Sequence, residues 1–219
     1  MVAEKTGGTD GKRLALAASC AGIFLAVLRS TSANTALPEI RADLGGAVAG
    51  LQWVAGSYTL VLASLLLSVG ALTDRLGARR LFLAGLGFFA LFSALSAAAP
   101  SLEFLIAFQG PLGVAGALLG PPSLAIIGRL FAEPSERARA IGLWAASTGL
   151  AVAAGPVLGG VLTGALGWRG LFLANAPLAL LVAERPAWSA RQAGRRGKGK
   201  PWRRIRRTAE TRRAPGRSG

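Results

Sequence analysis

The sequence predicts an all-α membrane protein, a bundle of six transmembrane helices with a shortened sixth helix and a disordered basic C-terminal tail. Three observations carry that reading. Of 219 residues, 52% are hydrophobic and 16% charged, and the mean hydropathy is +0.48, too apolar for an ordinary soluble domain. Apolar runs close to the ~20 residues that a bilayer-spanning helix requires alternate with short charged turns across residues 14–183. The basic charge is concentrated beyond them: the formal charge is +15, and residues 184–219 hold 13 of the 25 Lys and Arg but 2 of the 10 acidic residues. The chain divides accordingly into a polar N-terminal segment, residues 1–13, a transmembrane bundle, residues 14–183, and the tail, residues 184–219.

Composition also removes classes of function. Cys20 is the single cysteine and histidine is absent, which leaves no disulfide, no Cys/His zinc site and no Ser-His-Asp triad. Without clustered carboxylates no catalytic set can be assembled, so neither an enzyme, a metal nor a cofactor is expected.

In chain order, residues 1–13 read as a mobile cytoplasmic end. Lys12 and Arg13 precede an apolar run as in a secretory signal, but several further spans follow, which favours a first helix that stays attached. That helix is expected over residues 14–37, stopping before Pro38. Arg29 lies in its middle, where insertion of an arginine costs ~2.5–3.5 kcal/mol, so it should face a water-filled cavity or a partner helix and not lipid. A loop with Glu39, Arg41 and Asp43 leads to a second helix from Leu51, with Trp53 and Tyr58 as interfacial anchors.

Residues 70–80, GALTDRLGARR, are the turn on which the chain is organised, because residues 73–80 separate the apolar runs 51–72 and 81–99. Gly70 and Gly77 allow a sharp turn, Asp74 is placed to cap the following helix, and Arg75, Arg79 and Arg80 hold the loop on the cytoplasmic side. The third helix ends at Pro100, and the fourth spans residues 102–128 with FQGPLGVAGALLGPPSLAII at its centre. A basic loop with Arg129, Arg137 and Arg139 follows. In the fifth helix Ala151, Gly155 and Gly159 recur every four residues, so a neighbouring helix can approach one face closely, while Pro156 removes a donor and bends the helix. The apolar run 170–183 is only 14 residues long and is interrupted by Glu184, Arg185 and Pro186. The tail has no apolar periodicity, as expected of a disordered segment. Its abrupt change of composition points to out-of-frame reading of GC-rich coding DNA or to a truncated fusion.

The turn fits G-x-L-x-D-R-x-G-x-R-R at Gly70, Leu72, Asp74, Arg75, Gly77, Arg79 and Arg80, and resembles the loop between the second and third helices of the major facilitator superfamily. Three further stretches resemble its fourteen-helix drug:proton antiporter branch. In the first helix Leu28, Thr31, Asn34, Ala36, Leu37 and Pro38 match L-D-x-T-x-x-N-x-A-L-P, with Arg29 where the family has aspartate. In the fourth, whose motif residues are Gln109, Gly113 and Pro121, alignment on Pro121 puts Gln109 at the position of an arginine implicated in proton handling and Leu112 at that of a glutamine. In the fifth, Gly155, Pro156, Gly159 and Gly160 match the motif that distinguishes antiporters. The segment GWRGLFLANAPLALL from Gly167 resembles the entry into the sixth helix of the same branch.

The resemblance implies the N-terminal half of such a transporter: two inverted three-helix repeats, the first and fourth helices lining a cavity, and proton-coupled efflux of drugs or other amphipathic molecules as the activity. It implies membrane lipid as surroundings, and a small-molecule substrate, protons and the missing C-terminal half as partners of a complete transporter. Lys5, Lys12, Arg13, Arg75, Arg79, Arg80, Arg129, Arg137 and Arg139 on one face, against Arg41 and Arg169 on the other, place both termini of a multi-pass inner-membrane protein in the cytoplasm. The half-site alone is expected to be inactive. The competing reading is a membrane-anchored protein whose basic tail binds anionic lipid or nucleic acid; no nucleic-acid motif is present, and an incidental charge run is favoured over the latter.

Overall fold

Six helices follow one another in the computed structural model, which describes residues 3–183, with side chains from residue 11. They are α1 (Ala3–Leu44), α2 (Val48–Leu76), α3 (Ala78–Ala97), α4 (Leu102–Ala117), α5 (Gly120–Leu130) and α6 (Pro134–Ala183). The expected disordered tail, residues 184–219, lies outside the described residues. Lipid offers no hydrogen bonds, and helices satisfy their backbone groups internally, which is why apolar runs of this length fold in this way.

The boundaries of the crossings differ from the sequence reading in instructive places. Helix α1 starts at Ala3, inside the segment expected to be mobile, and runs through Pro38 to Leu44. One missing N–H leaves one carbonyl short, and the last turn is held by Ile40, buried against Leu51, Val54, Trp168 and Phe172. The fourth crossing is split into α4 and α5 at Leu118 and Leu119, where Pro121 and Pro122 remove two consecutive donors. The Leu119 N–H instead bonds the Gly116 carbonyl at 3.1 Å, a tighter turn.

Helix α6 has 50 residues, about 75 Å at ~1.5 Å per residue, more than twice the ~30 Å hydrocarbon core. It is two crossings joined at Gly167, whose φ of 73° belongs to glycine's left-handed region. Pro156, where a bend is expected, lies within helical backbone, and the interruption of α6 falls at Gly167. With α4 and α5 counted as one crossing and α6 as two, the described residues form the six crossings of an all-α membrane protein.

Glycine and small side chains set how closely the helices approach. A Cβ at Gly159 would meet Thr35 Oγ1 at 2.5 Å and Ser32 Cβ at 2.8 Å, and one at Gly155 would strike the Thr31 side chain, so the first arm of α6 rests on α1. Likewise a Cβ at Gly113 would meet the Tyr58 carbonyl oxygen at 2.6 Å and Val61 Cβ at 2.9 Å, which seats α4 on α2. First crossing with fifth, and second with fourth, are the pairings that exchange when the first three crossings are mapped onto the last three.

Opposite ends of the bundle are tied by charge. At the kink, the Arg169 guanidinium pairs with Asp43 and donates to the Ala99 carbonyl at 3.2 Å, while Trp168 Nε1 donates to Asp43 Oδ2 at 3.0 Å. These bonds join the ends of α1 and α3 to α6. At the other end Lys12 pairs with Glu136 at 3.5 Å, and Glu133 accepts the Glu136 N–H at 2.8 Å, capping the start of α6. The Ser135 hydroxyl and the backbone N–H groups of Glu136 and Ser135 hold the Glu133 carboxyl below its ordinary range. A lowered folded-state value means that this contribution is present at neutral pH and is lost as pH falls through it.

The seam predicts a sharp contrast between adjacent glycines. Gly159→Leu should lower stability in detergent by about 1–3 kcal/mol through overpacking, whereas Gly160→Ala, with open space at its Cβ, should be neutral or slightly stabilising. Thermal unfolding followed by tryptophan fluorescence checks both; equal effects would show that the α1–α6 seam is not tight.

Candidate functional site

The most unusual side chain in the bundle is Arg29, the largest of the fully buried side chains at 1% exposure. It sits midway along α1 on the face turned towards α2, α4 and the second arm of α6. One of its Nη2 hydrogens is donated to Gln109 Oε1 of α4, and Gln109 itself is fully buried, its amide nitrogen 3.3 Å from the Leu105 carbonyl. Two rings flank the guanidinium: Phe172 lies 4.5 Å and Tyr58 5.5 Å from its central carbon, both within cation–π range. The Nε–H has no partner, and among the described residues no carboxylate pairs with Arg29.

This geometry answers the choice left open for Arg29: it faces partner helices in a packed interior, not a water-filled cavity. Two concavities lie elsewhere, one of about 660 Å³ between Ala94, Ala97 and Leu173 and another of about 270 Å³ beside Glu39, Asp43 and Arg169. Tyr58 was expected as an interfacial anchor and is instead 1% exposed, donating its hydroxyl to the Ala26 carbonyl at 2.9 Å. Tyr58 and Phe172 belong to the Arg29 environment, a role that the sequence reading gave to neither. The available signal was that an intramembrane arginine calls for aromatic or polar neighbours on other helices, but which helices adjoin cannot be read from spacing.

The other motif residues fall into three groups. Thr31 bridges to α6, its Oγ1 lying 3.1 Å from the Val27 and Leu28 carbonyls and 3.4 Å from that of Ala151, while Asn34 and Pro38 are exposed on another side of α1. Gly113 packs on α2, and Pro121 belongs to the break between α4 and α5. On α6 Gly155 and Gly159 are buried against α1, while Pro156 and Gly160 are exposed.

The turn motif is arranged differently from expectation. Gly70 lies inside α2, and the chain reverses at Gly77 alone, with φ of 93°. Asp74, in the last turn of α2, does not cap α3, whose start carries no side-chain cap; its Oδ1 pairs with Arg129 Nη2 at 3.7 Å across to the end of α5. Continuing the helix to Leu76 turns Asp74 sideways, away from the first N–H groups of α3. Arg75 and Arg80 are exposed, and Arg79 is half-buried with Nε unpartnered.

Comparison with known proteins extends the pattern. The chain is 42% identical over 176 residues to the puromycin resistance protein of Streptomyces alboniger, covering 80% of this chain and 35% of that one. It is 39% identical over 205 residues to the cephamycin export protein of Amycolatopsis lactamdurans, covering 92% and 41% respectively. With the multidrug efflux pump LfrA of Mycolicibacterium smegmatis it shares 40% over 167 residues, 76% of this chain and 33% of the pump. The chain thus spans a third to two-fifths of the length of these relatives. The model of the Major Facilitator Superfamily matches residues 19–214, continuing past residue 181 where the motif resemblance ends. Across these residues the chain belongs to the Major Facilitator Superfamily, as a multi-pass membrane protein.

Proposed function

We propose that the chain forms the N-terminal half of a plasma-membrane transporter that exports drugs or other amphipathic small molecules in exchange for protons, with both termini cytoplasmic. Support comes from the names of the relatives, which are export and resistance proteins, and from the share of their length that this chain covers. The observation that carries the reading is the open face of the bundle. Leu67 of α2 is 89% exposed, and Leu150, Val157 and Val161 of α6 are exposed on the matching crossing of the second repeat. Apolar faces on these two crossings are suited to a second half as well as to lipid, and substrates of such transporters bind between halves. Six crossings therefore offer half a site.

Expressed with these 219 residues alone, the protein should insert in the membrane and leave dye efflux at the level of an empty vector. Co-expression with the C-terminal half of the puromycin resistance protein should restore efflux that collapses with a protonophore. The measurement is loss of one cationic and one anionic fluorescent dye from energised cells lacking their own pumps. Protonophore-sensitive efflux by the chain alone would overturn the half-site reading.

The Asp74–Arg129 pair links the second and fourth crossings at one end, where rocking of one half on the other would be felt. Both side chains are largely exposed, 82% and 55%, so the pair should add under ~1 kcal/mol to stability. Asp74→Asn is expected to slow transport by the assembled protein several-fold while insertion and thermal stability stay unchanged. Unaltered transport rates would remove the turn from the transport cycle.

A further inference from the structure

We propose that the end of the bundle at the Gly167 kink holds a phosphatidylethanolamine, with an acyl chain in a groove between α3 and the second arm of α6 and the headgroup on Arg169 and Glu39. The groove is the concavity of about 660 Å³, where Ala94, Ala97 and Ala98 of α3 meet Gly170 and Ala174 of α6. Short side chains on both helices leave this space, and Leu173, which also lines it, is 56% exposed. On α6 the lining runs from Arg169 to Pro177, about 12 Å at ~1.5 Å per residue, most of the depth of one leaflet of a ~30 Å hydrocarbon core. These are the third and sixth crossings, whereas the open faces suited to a second half are on the second and fifth. Lipid therefore covers the groove in the assembled protein as well.

The charges beside the groove name the headgroup. Leu166 and Arg169 line both this groove and the second concavity, of about 270 Å³, so the two are contiguous, and the second also carries Glu39 and Asp43. Across the shared residues the surface passes from apolar groove to cation to carboxylates. A phosphatidylethanolamine passes in the same order from acyl chain to phosphate to primary ammonium. The Arg169 guanidinium lies 4.4 Å from the Trp168 ring and bonds Asp43 and the Ala99 carbonyl, which hold it in place. Its side chain is still 46% exposed and keeps N–H groups for a phosphate oxygen. Glu39 lies one turn before Asp43 on α1, and a Cβ on Gly167 would stand 3.2 Å from its Oε1, so this carboxylate rests against the kink. Among the described residues Glu39 is in no ion pair, whereas Asp43 has Arg169. A primary ammonium can donate to Glu39 and Asp43 together. Phosphatidylglycerol brings no cation, and phosphatidylcholine brings one without an N–H.

The test is native mass spectrometry of the full chain, released from detergent micelles that contain phosphatidylethanolamine, phosphatidylcholine and phosphatidylglycerol with identical acyl chains in equal amounts. One retained phosphatidylethanolamine, at least fivefold over each of the other lipids, is the expected result, and it needs no variant. Glu39→Gln should bring phosphatidylethanolamine down to the phosphatidylcholine level, and Ala174→Leu should lower retention of all three at least threefold by filling the groove. Glu103→Gln, at an exposed carboxylate of α4, should change nothing; thermal unfolding establishes that each variant is folded. Excess dodecylammonium, which offers a chain and a cation without a phosphate, should displace less than half of the bound lipid. Equal retention of the three lipids, an undiminished preference in folded Glu39→Gln, or full retention in folded Ala174→Leu would overturn the proposal. So would a preference for phosphatidylglycerol, which would assign the face to anionic lipid, and complete displacement by dodecylammonium, which would assign it to free cationic amphiphiles.

Discussion

The close approach of α6 to α1 is the constraint on which the rest of the bundle depends. Lipid tails are as apolar as leucine, so helices in a membrane gain nothing from hiding leucine against leucine, and they associate where backbones can come near enough for dense van der Waals contact. Gly155 and Gly159 provide that on one side, against Thr31, Ser32 and Thr35, and Gly113 with Gly116 provides it between α4 and α2. Once these two seams are formed, the large side chains are sorted. Phe82, Phe89 and Leu105 turn inward, and Leu67, Leu150 and Val157 are left outside.

Arg29 gains its character from this packing. Had α1 been rotated, the same arginine would have met lipid or solvent; held by the glycine seam, it projects into the dry side of the bundle among Gln109, Tyr58 and Phe172. The arrangement also rearranges charge relative to the family pattern that the sequence resembles. The cation stands on the first crossing and a neutral amide on the fourth, and the two positions are in direct contact. Among the described residues no carboxylate pairs with Arg29, whose contacts are the Gln109 amide and the two rings.

Proline was the least dependable guide to the course of the chain. Pro38, Pro111, Pro156 and Pro177 all lie within helices, whereas the breaks fall at Leu118–Leu119, before two consecutive prolines, and at Gly167. A lone proline forfeits one donor and strains one turn, a cost that packing on neighbouring helices can meet. Two in succession leave adjacent carbonyls without partners, and a positive φ turns the chain outright. The clasp of Asp43, Trp168, Arg169 and the Ala99 carbonyl then fixes the direction in which the sixth crossing leaves the kink.

Apolar runs, charged turns and small-residue spacing are local properties, and from them the sequence by itself determined the all-α membrane class, the order of the crossings, the glycine face of the fifth and the interior direction of Arg29. Those features depend on the solvent that each residue prefers and on helical periodicity, which act within a few turns. Only the tertiary structure decided what Arg29 touches, that Tyr58 lies inside, that Asp74 reaches Arg129 rather than the start of α3, and that Asp43 meets Arg169 across the kink. Each joins residues distant in the chain, and the pairing is settled by which helices the glycine seams bring together and at what rotation. No periodicity within one helix contains that information.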